Sequence, residues 1–333
     1  MPVLFSVGYS GSWGQAKLSA EDFVDKAAAL GFRGVMLGGK RPHLNPLDWD
    51  ADARTRLRDR IARHGFERVY VAAYNNITGD LEHSEVPGRD IQALYITELA
   101  RLCRDIGGHM VRVFTGYEHP SAGYLPQWNM VVSTLKECAK RAAEYGVVLG
   151  VQNHHDIGVD WRSQRDLIQA VDEPNCKALF DAWSPALQGA DLAEAARNMA
   201  PLTYHTTIAD YQQRPRFVYE PEVINFQART PYSQAVPMGE GFIDYKTFLT
   251  TLRDNGFVGS VAYEMCSPLI GGGSEENLDR YARRFLKYLA ALGPDHEPRQ
   301  QWRSPALADS RDLHRCHGSH APCSPIARWG SIA

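Results

Sequence analysis

This 333-residue chain has no surplus of either charge: Lys and Arg number 36, Asp and Glu 39, and the formal net charge is −3. Such a balance offers nucleic acid or another polyanion no basic surface, so neither is an expected partner. No stretch reaches the roughly 18 apolar residues that a membrane helix needs. The opening MPVLFSVGYSG has no basic segment ahead of its apolar run, and is expected to form a first strand, not a signal peptide. Cysteine is sparse. Cys103, Cys138, Cys176, Cys266, Cys316 and Cys323 are scattered without a repeated CxxC, a usage that predicts reduced, structural thiols in the cytoplasm. The late CHGSHAPC (316–323) fits no common zinc spacing. Two glycine signatures are also missing. GYSGSWGQ, after the first apolar run, lacks the GxGxxG spacing of a doubly wound nucleotide-binding sheet. No Gly-rich phosphate cradle follows the late strands, so a phosphorylated substrate is not expected.

What is present is an alternation. Short apolar runs at 4–8, 34–37, 68–74, 110–115, 147–152, 178–181, 202–208 and 260–265 each precede a helical pattern. The helices are predicted from near Ser19, then at 50–64, 89–106, 125–145, 164–171, 192–198, 245–255 and 275–292. LGFRG, RHGFE, DIGGH, EYGV and DNGFVG place Gly at helix C-termini just ahead of strands. Alternating strands and helices imply a parallel sheet. Eight units over about 290 residues predict a (β/α)8 TIM barrel at 1–293. Two segments lie outside the alternation. Residues 211–241 form a long insertion after strand seven, rich in Pro, Arg, Gln and aromatics, and a loop of that length is usually functional. The Pro-, Arg-, Ser- and His-rich tail, 294–333, is expected to be irregular or disordered.

Chemistry in a (β/α)8 barrel gathers at the C-terminal ends of the strands. Strand five ends in Gln152, Asn153 and His154, strand six in Asp181, strand seven carries His205 and ends in Asp210, and strand eight ends in Glu264. Taken singly, Asp181 could equally cap a helix, and an isolated His205 is more often a hydrogen-bonded interior histidine. Glu264, between Tyr263 and Met265, is harder to explain, because burying a lone carboxylate is costly. Together, oxygen and nitrogen donors on four consecutive strands suit a divalent cation, which would also remove the repulsion between neighbouring carboxylates.

The runs LGVQNHHD, ALFDAWSP and VAYEMCSP, in this order, resemble the xylose isomerase-like family of sugar isomerases and epimerases, over roughly residues 4–292. The resemblance implies a metal held by Gln152, Asp181, His205 and Glu264, with Mn²⁺ the expected ion and Mg²⁺ or Co²⁺ the alternatives. Two positions depart from the family's pattern. Gln152 stands where relatives use Glu, and an amide brings neither charge nor basicity. Many relatives also place the strand-seven His three residues before an acidic residue, where this chain has Thr207; His205 lies two residues earlier, on the same side of the strand.

Epimerases of that family use two glutamates on opposite faces of the substrate, a scheme that Gln152 undermines. Glu264 and His154 then remain as catalytic groups, and one base with one acid suffices for elimination next to a ketone. Within the family this points to dehydratases of keto-inositols. With VPMGEGFIDY (236–245) after the insertion, it points most closely to the catalytic α subunits of C-glycoside deglycosidases. The expected activity is a metal-dependent lyase acting on 3-oxo-C-glycosides, with a small β subunit as partner and homo- or hetero-oligomeric assembly. A ketose 3-epimerase or aldose–ketose isomerase is the alternative, and a non-catalytic sugar-binding subunit a further one. His155, Asp156, Trp183, Asp210 and Arg214 are expected to hold the sugar conjugate. Tyr211, Phe217, Tyr219, Phe226 and Tyr232 could cover a flat aglycone or form an oligomer contact, and Arg216 and Arg229 could assist Arg214. Lys40, Arg41 and His43 are weaker candidates on a loop expected to be solvated.

Overall fold

The computed structural model describes residues 1–293. The tail from 294 onward, with Cys316 and Cys323, lies outside the described residues.

Eight parallel strands close into a barrel in the order β1-β10-β7-β6-β5-β4-β3-β2. They are β1 (Pro2–Phe5), β2 (Gly34–Gly38), β3 (Arg68–Ala72), β4 (Met110–Val113), β5 (Val148–Gln152), β6 (Cys176–Leu179), β7 (Thr203–Ile208) and β10 (Ser260–Tyr263). The eight expected units are therefore all present. The outer ring comprises α1 (Ala20–Leu30), α2 (Ala51–His64), α3 (Gly88–Asp105), α4 (Tyr124–Ala143), α5 (Trp161–Val171), α7 (Leu192–Met199), α8 (Tyr245–Asp254) and α9 (Glu275–Ala291). A short α6 (Trp183–Leu187) follows β6 directly and has no periodic signal of its own.

Local chemistry sets the helix limits. Ser19 accepts from Asp22 N at 3.0 Å, and Asp50, Asp160, Asp191, Asp244 and Ser274 cap their helices in the same way. α1 ends at Gly31, whose φ of 91° is a left-handed conformation open to glycine without strain.

Apolar burial divides into two layers. Helix faces such as Phe23, Val24, Ala27 and Leu30 of α1 pack on outward strand residues including Val35, Val69 and Val111. Inside the barrel, Val3, Phe5, Met36, Tyr70, Ala72, Met110, Leu179 and Ala262 form an apolar plug. Polar inward positions adjoin it.

The insertion is ordered secondary structure and not an irregular loop. β8 (Asp210–Glu220) and β9 (Asn225–Val236) pair as an antiparallel ribbon, from Asp210 opposite Val236 to Glu220 opposite Asn225. Its base is held by Asp210, which is buried; Oδ1 accepts from Tyr211 N at 3.0 Å, and Oδ2 from the backbone N–H of Gly239 and of Gly241, each at 2.9 Å. A Cβ on Gly241 would run into that carboxylate. Asp210, expected to meet the substrate, is thus a structural clasp whose oxygens are committed to backbone donors. Beyond the base the ribbon is exposed, and Arg214, Arg216 and Arg229 lie on its exposed part. Arg214, expected to hold the substrate, pairs across the ribbon with Tyr232 and is exposed.

Candidate active site

The polar inward residues beside the apolar plug include Arg112 of β4, Gln152 of β5, Asp181 just after β6, Thr207 of β7 and Glu264 just after β10. Asp181 is the best-anchored of them. Its Oδ1 accepts from Thr207 N at 2.6 Å, and its Oδ2 accepts from Thr207 Oγ1 at 2.6 Å and from Gln152 Nε2. Gln152 Nε2 also lies 3.2 Å from Thr207 Oγ1. Asn153 locks this cluster from behind: its Nδ2 donates to Asp181 O at 2.9 Å and its Oδ1 accepts from Asp181 N at 2.8 Å. Burial, then the neighbouring charge of Glu264, pushes the Asp181 carboxyl up to about 7, against the opposing pull of Thr207 and Gln152. Burial also raises Glu264, with Arg112, Thr207 and Gln152 favouring its charged form. Glu264 keeps partial access to solvent.

His205 is not part of this cluster. The β7–β10 register sets His205 beside Ser260 and Thr207 beside Ala262. His205 is therefore two residues, roughly 6.6 Å, deeper in the barrel than Thr207. Its Nδ1 is 2.8 Å from Ser260 Oγ, its ring packs on Tyr70 at 4.8 Å, and full burial drops its pKa to about 3. The expected ligand is an interior histidine, and Thr207 takes the place beside Asp181. The period-two argument chose the correct face of the strand and the wrong depth.

The residues present do not fit the four-ligand metal centre that the resemblance implied. Two carboxylates remain, and both oxygens of Asp181 are already hydrogen-bonded. Gln152 donates its Nε2 to Asp181, which leaves only a neutral Oε1 to offer a cation, and His205 lies deeper, bonded to Ser260. Among the described residues no group of three or more His, Cys, Asp or Glu is placed to hold a metal ion. A guanidinium, Arg112, occupies the same interior instead.

The histidines after β5 form one wall. His155, three residues beyond the end of β5, has φ of 65°, a left-handed conformation uncommon outside glycine. The turn brings His155 Nδ1 to 2.8 Å from His154 Nδ1, which also accepts from His155 N at 2.9 Å. An Nδ1 that accepts a backbone N–H leaves the proton of neutral His154 on Nε2. Burial, then His155 and Arg112, lowers His154 to about 4; burial and Arg112 do the same to His155. At neutral pH His154 is thus an N–H donor, not the base that its type suggested. Tyr117, His155, Phe114, His154, Trp183 and Tyr211 follow one another in ring contact, with centroid distances from 4.1 to 6.3 Å. Trp183 Nε1 is buried without a partner. Asp156 is exposed and accepts from Glu118 N at 2.9 Å, tying the loops after β4 and β5 together outside the cluster. Of the weaker candidates, Lys40 places its Nζ 3.8 Å from the Tyr74 ring centroid, His43 is buried against Ser6 Oγ at 3.0 Å, and Arg41 pairs with Asp48 at the surface.

Arg112 was not anticipated. In MVRVF it alternates with apolar residues like any strand position, and only Ala72 and Gly150, its small register partners, hint that the interior has room for it.

Comparison with known proteins agrees with this architecture. The family described as "Xylose isomerase-like TIM barrel" matches residues 24–289. An inosose dehydratase of Lacticaseibacillus casei is 22% identical over 166 residues, which span 50% of this chain and 54% of that protein, so the chain covers about half the length of that relative. A fructoselysine 3-epimerase of Escherichia coli O157:H7 is 20% identical over 292 residues, 85% of this chain and 97% of that protein. Among solved structures, a D-psicose 3-epimerase from Clostridium cellulolyticum H10, determined with D-tagatose, superposes with a TM-score of 0.67 at 16% identity, over 89% of this chain and 99% of that one. At that identity the likeness is one of fold.

Proposed function

We propose that this chain, which belongs to the xylose isomerase-like TIM-barrel family, removes a proton next to the ketone of an oxidised sugar or polyol and expels a β substituent. One observation carries this reading. Of the two carboxylates in the barrel interior, Asp181 accepts three close hydrogen bonds from Thr207 and Gln152, which also favour the charged form of Glu264. Gln152 can accept no proton and Glu264 keeps partial access to solvent, so Glu264 is taken as the base. Epimerisation through opposite faces needs a second base; elimination does not.

The steps balance within these residues. Glu264 takes the α proton, and the C–H electron pair becomes the C=C bond of an enolate. Collapse of the enolate restores the C=O bond and forms the α,β double bond. The bond to the β substituent breaks in that same step, its electron pair leaves with that group, and Glu264 returns the proton to it. His154, through Nε2–H, holds a substrate oxygen, and Trp183 Nε1 offers a second donor. No step is assigned to a divalent ion, because the donor set does not fit one. The aromatic wall from Tyr117 to Tyr211 suits a flat aglycone, which keeps 3-oxo-C-glycosides as the proposed substrate class. The inosose dehydratase relative lends support to elimination.

A second reading, ketose 3-epimerisation, is favoured by the near-complete coverage of the fructoselysine 3-epimerase. Incubation with 3-oxo-glucosides and 2-keto-inositols in D₂O, followed by NMR, separates the two. An enone with a released aglycone or water is expected. Recovery of a deuterated epimer would select the second reading, and no exchange at all would remove both.

Self-association or a small partner subunit is proposed for the ribbon, whose Phe217, Ile224, Phe226 and Tyr232 are exposed. A cytoplasmic setting is supported by the four described cysteines, all free. Among the described residues no helix is long and apolar enough to cross a membrane.

A further inference from the structure

Arg112 is 1% exposed, yet its Nε and Nη1 have no hydrogen-bond partner. Its guanidinium carbon lies 3.9 Å from the Phe114 ring centroid, 5.1 Å from that of Tyr74 and 5.7 Å from that of Phe5. Aromatic faces soften the burial of a cation but do not replace an anion or an acceptor. An interior rarely keeps such a group without something that arrives to meet it. The barrel order sets β4 four strands from β10, on the opposite wall. Arg112 and Glu264 therefore approach the barrel interior from opposite sides, within electrostatic reach but without an ion pair. A second cation, Lys40, leans over the same Tyr74 ring.

We propose that the Arg112 guanidinium receives the ketone oxygen of the substrate and holds the negative charge that develops there, in the role a divalent cation would otherwise fill. This rests on the α-deprotonation reading above. The fork of N–H donors is fixed by packing against three rings and needs no reorganisation when the charge appears. The electron pair released by the C–H bond ends on an oxygen beside Nε and Nη1, while the proton goes to Glu264 on the far wall. The two changes are thus separated across the substrate, as one-base chemistry requires.

The full chain is to be purified, treated with EDTA and dialysed, and its metal content measured by elemental analysis. Metal below about a tenth of an equivalent with turnover retained is expected. Turnover abolished by EDTA and restored by Mn²⁺ overturns the proposal while leaving the deprotonation reading intact. Arg112→Met is expected to lower kcat by about 10²–10³-fold, the usual effect of removing one oxyanion donor, with partial rescue by added guanidinium for Arg112→Ala. Undiminished kcat in both variants overturns it.

A readout independent of the true substrate is thermal unfolding with oxalate, a planar dianion resembling an enediolate, on EDTA-treated protein. A rise in melting temperature in the parent, absent in Arg112→Met, is expected; no rise in the parent overturns the anion site. Arg112→Met without oxalate is expected to melt no lower than the parent, since an apolar chain of similar length replaces an unpaired buried charge. A lower melting temperature would mark Arg112 as purely structural.

Discussion

Gln152 tests the site most directly. Gln152→Glu puts a third carboxylate beside Asp181, removes the amide hydrogen bond to it, and increases the repulsion that already raises Asp181. A loss of about 2 kcal/mol in metal-free urea unfolding is expected, in line with leaving a buried charge uncompensated. Glu264→Gln separates base from scaffold. It is expected to cut elimination by at least about 10²-fold while the melting temperature holds or rises, because a raised carboxyl is replaced by an amide of equal size. The histidines show how much a neighbour decides. From sequence His154 is a base near neutral pH; its Nδ1 bond to the His155 amide makes it a donor. Nothing in HHD foretells the left-handed turn at His155 that forms this bond.

The ribbon and its clasp are the element whose form was least legible. Pro215 and Pro231 and the scattered arginines of 211–241 read as loop, since proline removes a ladder donor. The antiparallel pairing accommodates them, with an irregularity in register between Arg214 and Arg216. Gly241→Ala is expected to destabilise by about 1–3 kcal/mol, as overpacking against the buried Asp210 carboxylate does, measurable as a shift in urea midpoint. By contrast, replacing 213–234 with a short turn is expected to leave the barrel folded. Those residues are mostly exposed, and the clasp lies outside the deleted stretch. A fall in melting temperature beyond about 5 °C, larger than a loss of about 1 kcal/mol gives in a chain of this size, would make the ribbon part of the barrel's stability.

Acid stability belongs to the whole molecule, because buried histidines and buried carboxylates act in opposite directions. His43, pushed by burial from 6.5 to about 4, stays neutral in the fold while the unfolded chain takes up a proton. Its contribution is therefore complete above about pH 6.5, is lost as pH falls toward 4, and changes no further below that. Asp181, raised from 3.8 to about 7, binds its proton in the fold first, so it adds stability as pH falls through the same range. The two trends overlap, and a single variant resolves them. The stability gap between the parent and His43→Asn is expected to narrow as pH drops from 6.5 to 4, followed by urea midpoints at each pH; a constant gap would mean that His43 does not stay neutral.

The alternation of apolar runs and capped helices fixes eight parallel strands without any tertiary information, because each strand must be covered by the helix that follows it. The same pattern names the polar strand ends, Gln152, Asp181 and Glu264, since few reasons exist to interrupt an apolar strand with a carboxylate. Depth within the barrel is another matter. Side-chain alternation says which residues point inward, but the height of each depends on the stagger between neighbouring strands. That stagger puts Thr207 beside Asp181 and sinks His205 onto Tyr70. It also brings Arg112 out of an ordinary-looking strand into the barrel interior opposite Glu264, and only closure of the barrel makes those two residues face each other.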